Sequence, residues 1–186
     1  MYGMVNRAME DMVVDGWGEA SWDRVKERAG VDVEVFVGTE SYSDDVTYRL
    51  VGAAADVLGL PAAEVLHRFG IHWVTRTAND GYGPLMDAGG RTLGEFLANL
   101  PVFHSRVSLL FPHLSPPTFF CTQTRPGSVR VRYVSGRDGL APFVMGLLNG
   151  LGLRFGVPVR IQQTAEKGRN GDHDEFVVSW EEAEKA

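Results

Sequence analysis

The hydrophobic period of this chain first changes around the prolines at 116 and 117, and the change fixes the fold class. Before it, apolar residues recur every three or four positions, the spacing of one helix face; after it they alternate, the spacing of one strand face. Val5, Met9, Met12 and Val13 make the first helical face, ahead of Gly16. "EASWDRVKERAG" follows and ends on Gly30 in the manner of a helix C-cap. Ser43 before Asp44 and Asp45 reads as an N-cap with acids in the first turn, opening a helix that runs to Gly59. Pro61 suits the first position of the next helix, which carries His67, His72 and Trp73. "NDGYGPLMDAGG" is expected to be loop, with a short helical turn at most.

Thr92 and Glu95 form a capping-box pattern at the head of a long amphipathic helix. Its stripe is Leu93, Phe96, Leu97 and Leu100, then His104, Val107 and Phe111. Pro101 removes an N–H inside that helix, so a kink or a fresh start is expected there, and "FPHLSPP" ends it. "TFFCTQT" and "SVRVRYVS" flank the turn signal "RPG" and predict a hairpin. "GLAPFVMGLLNGLGLRFG" returns to helix, and strands are expected at about 157–164 and 175–180, joined by "EKGRNGDHD". "EEAEKA" reads as a solvated tail. The expected fold is α+β: one domain over 1–186, with a helical N-terminal subdomain (1–60) packed on a C-terminal subdomain (61–186). The latter holds a four-stranded antiparallel sheet with helices on one side.

Composition narrows the function classes. A chain of 186 residues with 44% hydrophobic content can bury a substantial core. Its net charge of −6 argues against nucleic acid or an anionic membrane surface as main partner, since either needs a basic patch. The single cysteine, Cys121, excludes an intrachain disulfide and a multi-cysteine zinc site, and points to a reducing compartment. With no 18-residue apolar run and no signal-like start, a cytoplasmic location is expected. Cys121, flanked by apolar residues, reads as a small buried hydrophobe, and Asp44 and Asp45 as helix-start charges.

Two features carry chemistry. "RYVSGRDG" places Tyr133, Ser135 and Arg137 on alternate positions, and a strand would project all three from one face. Such donors suit a small anion, and Arg forks a carboxylate best; a polar exposed sheet face accounts for the same pattern. Among five histidines, His104 stands apart because its neighbours a turn away, Leu97, Leu100 and Val107, are apolar. Its imidazole needs a buried hydrogen-bond partner or a metal. One metal setting needs a single protein ligand: haem brings four equatorial nitrogens, and also two carboxylates for a Tyr, Ser and Arg to hold. A core histidine with one buried partner fits the pattern as well.

"MYGMVNRAMEDMV", "FLANLPVFHSRV", "SPPTFFC" and "YVSGRDGLAPFVMGLLNGL" together resemble the H-NOX (haem nitric oxide/oxygen binding) family. The likeness is to its stand-alone bacterial members and to the haem domain of the soluble guanylate cyclase beta subunit, and it runs along essentially the whole chain. The resemblance implies haem b (iron protoporphyrin IX) with His104 as proximal iron ligand and Tyr133, Ser135 and Arg137 on the propionates. Pro117 would press on the porphyrin, Phe96 and Leu100 would pack beside it, and Met4, Trp73, Phe143 and Leu147 would lie on the distal side. It further implies a sensor, not an enzyme: nitric oxide or carbon monoxide binds, the iron–His104 bond weakens, and a subdomain shift is read by a separate partner. Histidine kinases and cyclic-di-nucleotide enzymes are the family's partners. Phe143 stands where oxygen-binding relatives present a phenol, so no stable dioxygen complex is expected unless the Trp73 indole donates. The alternatives are a haem enzyme acting on peroxide or nitric oxide, and an interaction module without a cofactor.

Overall fold

The computed structural model describes residues 1–110, 116–169 and 171–181. Phe111, His113, Asn170 and most of the "EEAEKA" tail lie outside the described residues. The chain begins with α1 (Gly3–Trp17), α2 (Glu19–Ala29), α3 (Asp44–Leu58) and α4 (Ala62–His72). A π-helical segment, Trp73–Ala78, runs directly into α5 (Asn79–Asp87), and α6 (Leu93–Leu110) follows. Then come β1 (Thr118–Arg125), β2 (Ser128–Val134), α7 (Ala141–Arg154), β3 (Arg160–Ala165) and β4 (Asp174–Ser179). The α+β class and the ββαββ order of the second half are as the hydrophobic period predicts.

Local chemistry sets most boundaries. Ser43 caps α3 by accepting a hydrogen bond from the Asp45 amide at 3.3 Å, and Gly59 closes the helix in the left-handed conformation, φ 65°. Thr92 Oγ1 accepts from the Glu95 amide at 3.2 Å, while the Glu95 carboxylate reaches back to the Arg91 amide at 2.8 Å. Gly127, φ 67°, makes the tight turn between β1 and β2.

Two expectations need correction. "NDGYGPLMD" is helical, not loop, although Tyr82 (φ −137°, ψ 25°) breaks it before Pro84. Tertiary contacts override the two glycines and the proline: Met86 is buried, and the Arg154 guanidinium binds both Asn79 Oδ1 and Asp87 Oδ1 across the segment. Of the two alternatives expected at Pro101, the fresh start is not seen: α6 is helical on both sides. Proline there removes the one N–H that would bond the Leu97 carbonyl, and the helix continues past that single loss.

The sheet is antiparallel throughout, in the order β1-β2-β4-β3. Phe119, Val129, Val131, Tyr133, Phe176 and Val178 form its buried face, packed against the helices, whereas Arg130 and Arg132 are exposed. Cys121 pairs with Val131 and packs on the same core, and burial pushes its thiol up to about 12, which disfavours the thiolate. The buried side chains fall into two cores. One gathers α1, α2, α3 and the Val65 and Phe69 side of α4; the other lies between the sheet, α6 and α7. Trp73 packs against both.

The contact of α4 with α7 is made by backbone. A methyl group at Gly146 would fall 2.0 Å from the His67 carbonyl oxygen, and one at Gly70 would fall 2.2 Å from that of Phe143. Two glycines facing each other therefore set the spacing of the helices that carry Trp73, Phe143 and Leu147.

Candidate functional site

Where the two cores meet, the chain leaves a cavity of about 250 Å³ with an almost wholly apolar lining. The helical side contributes Met4, Leu66, Phe69 and Trp73; α7 contributes Phe143, Val144 and Leu147. Phe69 ties these together, its ring 6.2 Å from Trp73 and 5.1 Å from Phe143. The second half of α6 supplies Phe103, His104 and Val107, and Pro117 and Phe119 close that wall.

His104 is the imidazole on the wall, and its state follows from one contact. Its Nδ1 lies 3.1 Å from the Leu100 carbonyl, which can only accept, so Nδ1 carries the proton and Nε2 presents a lone pair. Burial holds the ring below the ordinary histidine value, against the raising effect of that hydrogen bond, which leaves it neutral at pH 7. Phe119 fixes the ring further, at 4.6 Å between centroids, and Phe119 in turn meets Tyr133 at 5.3 Å. A neutral imidazole oriented by a backbone acceptor is the state a metal-ligating histidine requires.

Phe96 and Leu100 do not line the cavity. They are buried in the sheet-side core, with Phe96 against Phe103 and Phe155. The apolar stripe of α6 is continuous, but its partner changes along the helix: core for the first turns, cavity for the last. Leu100 acts on the site through its carbonyl alone.

At the cavity edge stand Tyr133 and Arg137. Strand β2 ends at Val134, so Ser135 and Arg137 belong to the turn after it, and strand alternation does not set their direction. Within the turn, Ser135 Oγ accepts from the Arg137 amide at 3.1 Å. The guanidinium forks a carboxylate, as its geometry favours, and that carboxylate is Asp44: Nε to Oδ2 is 2.7 Å and Nη2 to Oδ1 is 3.3 Å. The Met1 ammonium also holds Asp44, at 2.6 Å. Asp44 is thus more than a helix-start charge; it joins α3 to the turn after β2.

Sequence reasoning missed other polar groups near this site. Tyr82, at the break in α5, places its hydroxyl 3.8 Å from Met4 Sδ on the cavity wall. Tyr48 lines the cavity and donates to the Asp138 carbonyl at 2.9 Å. Neither carries a periodic signal, because each is defined by a contact with a distant segment.

A family model described as haem-NO-binding matches residues 2–163. The chain belongs to the haem-NO-binding family. Solved relatives share its fold: an H-NOX protein from S. oneidensis in the Fe(II)NO state superposes with a TM-score of 0.88 at 23% identity. That match covers 98% of this chain and all 100% of the other. The Fe(II) unliganded H-NOX protein from K. algicida gives 0.83 at 20% identity, covering 100% of both chains. Among curated proteins, soluble guanylate cyclase gcy-31 of Caenorhabditis elegans is 26% identical over 151 residues, 81% of this chain. Soluble guanylate cyclase gcy-35 of the same organism is 27% identical over 188 residues, 96% of this chain. The haem-NO-binding chain spans 22% and 27% of the lengths of these two cyclases.

The donor set fits a haem. One neutral imidazole faces an apolar space bounded by aromatic and aliphatic side chains, and a guanidinium that already seats a carboxylate stands at its edge. Of the residues singled out from sequence, Met4, Trp73, His104 and Pro117 line this cavity, as do Tyr133, Arg137, Phe143 and Leu147. Ser135 braces the turn beside it, and Phe96 and Leu100 support α6 from the core side.

Proposed function

We propose that this haem-NO-binding domain is a non-catalytic sensor for nitric oxide and carbon monoxide, holding haem b through His104. The observation that carries the reading is the His104 ring, neutral, tautomer fixed by the Leu100 carbonyl, on the wall of an apolar cavity. Bound there, haem would supply a ferrous iron able to take a diatomic gas. Arg137, Tyr133 and Ser135 would hold its carboxylates, Arg137 in place of or beside Asp44. Pro117, on the cavity wall, would pack against it. Met4, Trp73, Phe143 and Leu147 keep water from the gas side. The domain is taken as 1–186, with 1–60 as the helical subdomain that shifts.

Signalling then follows from what joins the two cores. Asp44 on α3 and Arg137 after β2 form one link, and Trp73, packed on both cores, forms another. The ring contacts of His104 with Phe119 and of Phe119 with Tyr133 would couple the ligand to the turn that holds Asp44. A separate protein reads the resulting surface change, a histidine kinase or a cyclic-di-nucleotide enzyme being the kinds the family suggests.

Gas choice rests on donors. Phe143 has none, and without a hydrogen bond dioxygen loses roughly 1.5 to 3 kcal/mol of stabilisation, one to two decades in affinity. The reduced, haem-loaded protein is expected to change spectrum with nitric oxide and with carbon monoxide, and to oxidise in air without holding dioxygen. A persistent dioxygen spectrum that disappears in Trp73→Phe or Tyr82→Phe would refute the selectivity and make this an oxygen binder. A protein that takes up no added haemin would refute the haem reading itself, and the peroxide-enzyme alternative with it.

A further inference from the structure

The turn that carries Ser135 and Arg137 is held from outside the cavity by a lysine. Lys167 stands in the connection between β3 and β4, and its ammonium lies 2.7 Å from the Ser135 carbonyl and 3.3 Å from the Arg137 carbonyl. It also lies 2.6 Å from Asp138 Oδ1. A lysine ammonium has three N–H donors, and all three find acceptors on this one turn.

Lys167 is itself fixed. Its backbone amide donates to Asp174 Oδ1 at 3.1 Å, and Asp174, buried on β4, also accepts from Gln163 Nε2 at 3.0 Å. The ammonium therefore projects from a braced segment onto a turn that needs bracing. "SGRDG" contains Gly136 and Gly139, the latter at φ 72°, so its backbone has more freedom to lose than an ordinary turn. Besides Lys167, the turn is met by the Tyr48 hydroxyl on the Asp138 carbonyl, the Arg137 amide on Ser135 Oγ, and the Arg137 fork on Asp44.

We propose that Lys167 is the positioning residue of the carboxylate-binding turn. By drawing the Ser135 and Arg137 carbonyls outward it leaves the Arg137 guanidinium on the cavity side, and so sets how firmly the domain retains haem. The proposal rests on the haem reading above. The two carbonyl bonds carry the effect; the Asp138 carboxylate is 85% exposed, and an ion pair to so solvated a partner adds little.

The test is haem transfer from the full chain to an excess of a scavenging apoprotein, with amide hydrogen exchange of the apoprotein alongside. Lys167→Met, similar in length but without donors, is expected to lose haem about tenfold faster than wild type, the factor for one charge-assisted hydrogen bond. Lys167→Arg restores donors and should fall within about threefold of wild type, as should Asp138→Asn. Exchange at the Arg137 amide should quicken in Lys167→Met apoprotein while the melting midpoint moves by less than about 3 °C. Because Lys167 acts through Arg137, Lys167→Met combined with Arg137→Ala should lose haem no faster than Arg137→Ala alone. Haem uptake with equal loss rates for wild type and Lys167→Met, or fully additive effects in the double variant, would overturn the proposal alone. A wild type that takes up no haemin would overturn the haem reading and the proposal together.

Discussion

A methyl group added at Gly146 and the same group added at Gly52 should change stability in opposite directions. Both glycines lie inside helices, α7 and α3, so alanine gains the same intrinsic propensity at each, about 1 kcal/mol. At Gly52 nothing lies within 4 Å of the new carbon, and the full gain is expected. At Gly146 the new carbon falls 2.0 Å from the His67 carbonyl oxygen and 3.0 Å from the Gly70 Cα. Both obstacles are backbone of α4, which cannot swing aside as a long side chain can. The helices must part by roughly 1 Å, and overpacking of this kind costs about 1 to 3 kcal/mol before the propensity gain. Since Gly70 shows the crossing to be backbone on backbone, the upper end applies, giving a net loss of about 2 kcal/mol. At about 3 °C per kcal/mol for a chain of this size, Gly146→Ala should melt about 6 °C lower and Gly52→Ala about 3 °C higher. Thermal unfolding of the apoprotein followed by circular dichroism measures both. Shifts of the same sign in the two variants would refute the claim that glycine contact sets the α4–α7 spacing.

His104→Gly should purify with little haem and regain a five-coordinate ferrous spectrum when imidazole is supplied; spectra unchanged from wild type would place the ligand elsewhere, on His67, His72 or His113. Asp44 supplies a pH test. Burial raises its carboxyl, but the hydrogen bonds from Arg137 and the Met1 ammonium outweigh that and hold it below the usual carboxylate range. Its contribution is therefore complete above the unfolded value, about pH 4, and is lost as pH falls through the lower folded value. Asp44→Asn should cost the apoprotein about 1 kcal/mol at pH 7, a modest figure because the carboxylate is 39% exposed, and should flatten the acid limb of stability. Urea midpoints against pH measure both effects; an unchanged acid limb would mean that the pair with Arg137 does not form in solution.

How far the fold can be read from the sequence depends on whether the information is local. Ser43, Gly59, the Thr92 and Glu95 pair and Gly127 each act within four residues, and each stands where the pattern places it. The alternation in "SVRVRYV" likewise reads directly as a one-sided strand, because Val129, Val131 and Tyr133 share a core that Arg130 and Arg132 avoid. The segment from Asn79 to Asp87 fails for the complementary reason. Its composition says loop, and the contacts that make it helix come from Arg154, 67 residues beyond Asp87. Pro101 shows a smaller version of the same limit: a local rule names the lost hydrogen bond, but whether a helix breaks depends on what else holds it.

The site divides along the same line, and the division has a functional side. His104 is legible because its apolar neighbours and the Leu100 carbonyl that orients it are a helical turn away in the same α6. Arg137 is legible as a carboxylate fork from its chemistry, although the strand expected to aim it ends three residues earlier. What periodicity cannot supply is what joins the two cores, since Asp44 to Arg137 spans 93 residues and Tyr48 to Asp138 spans 90, nor what braces the turn within the sheet side, where Lys167 to Ser135 spans 32. Contacts of that length leave no spacing in the sequence. They are also the contacts a sensor must use, since an event at His104 alters an outer surface only if something couples the cavity wall to the opposite core. Two of them converge with Lys167 on the single turn from Ser135 to Asp138, so under the proposed function that turn, more than the strand before it, is where binding would be coupled to movement.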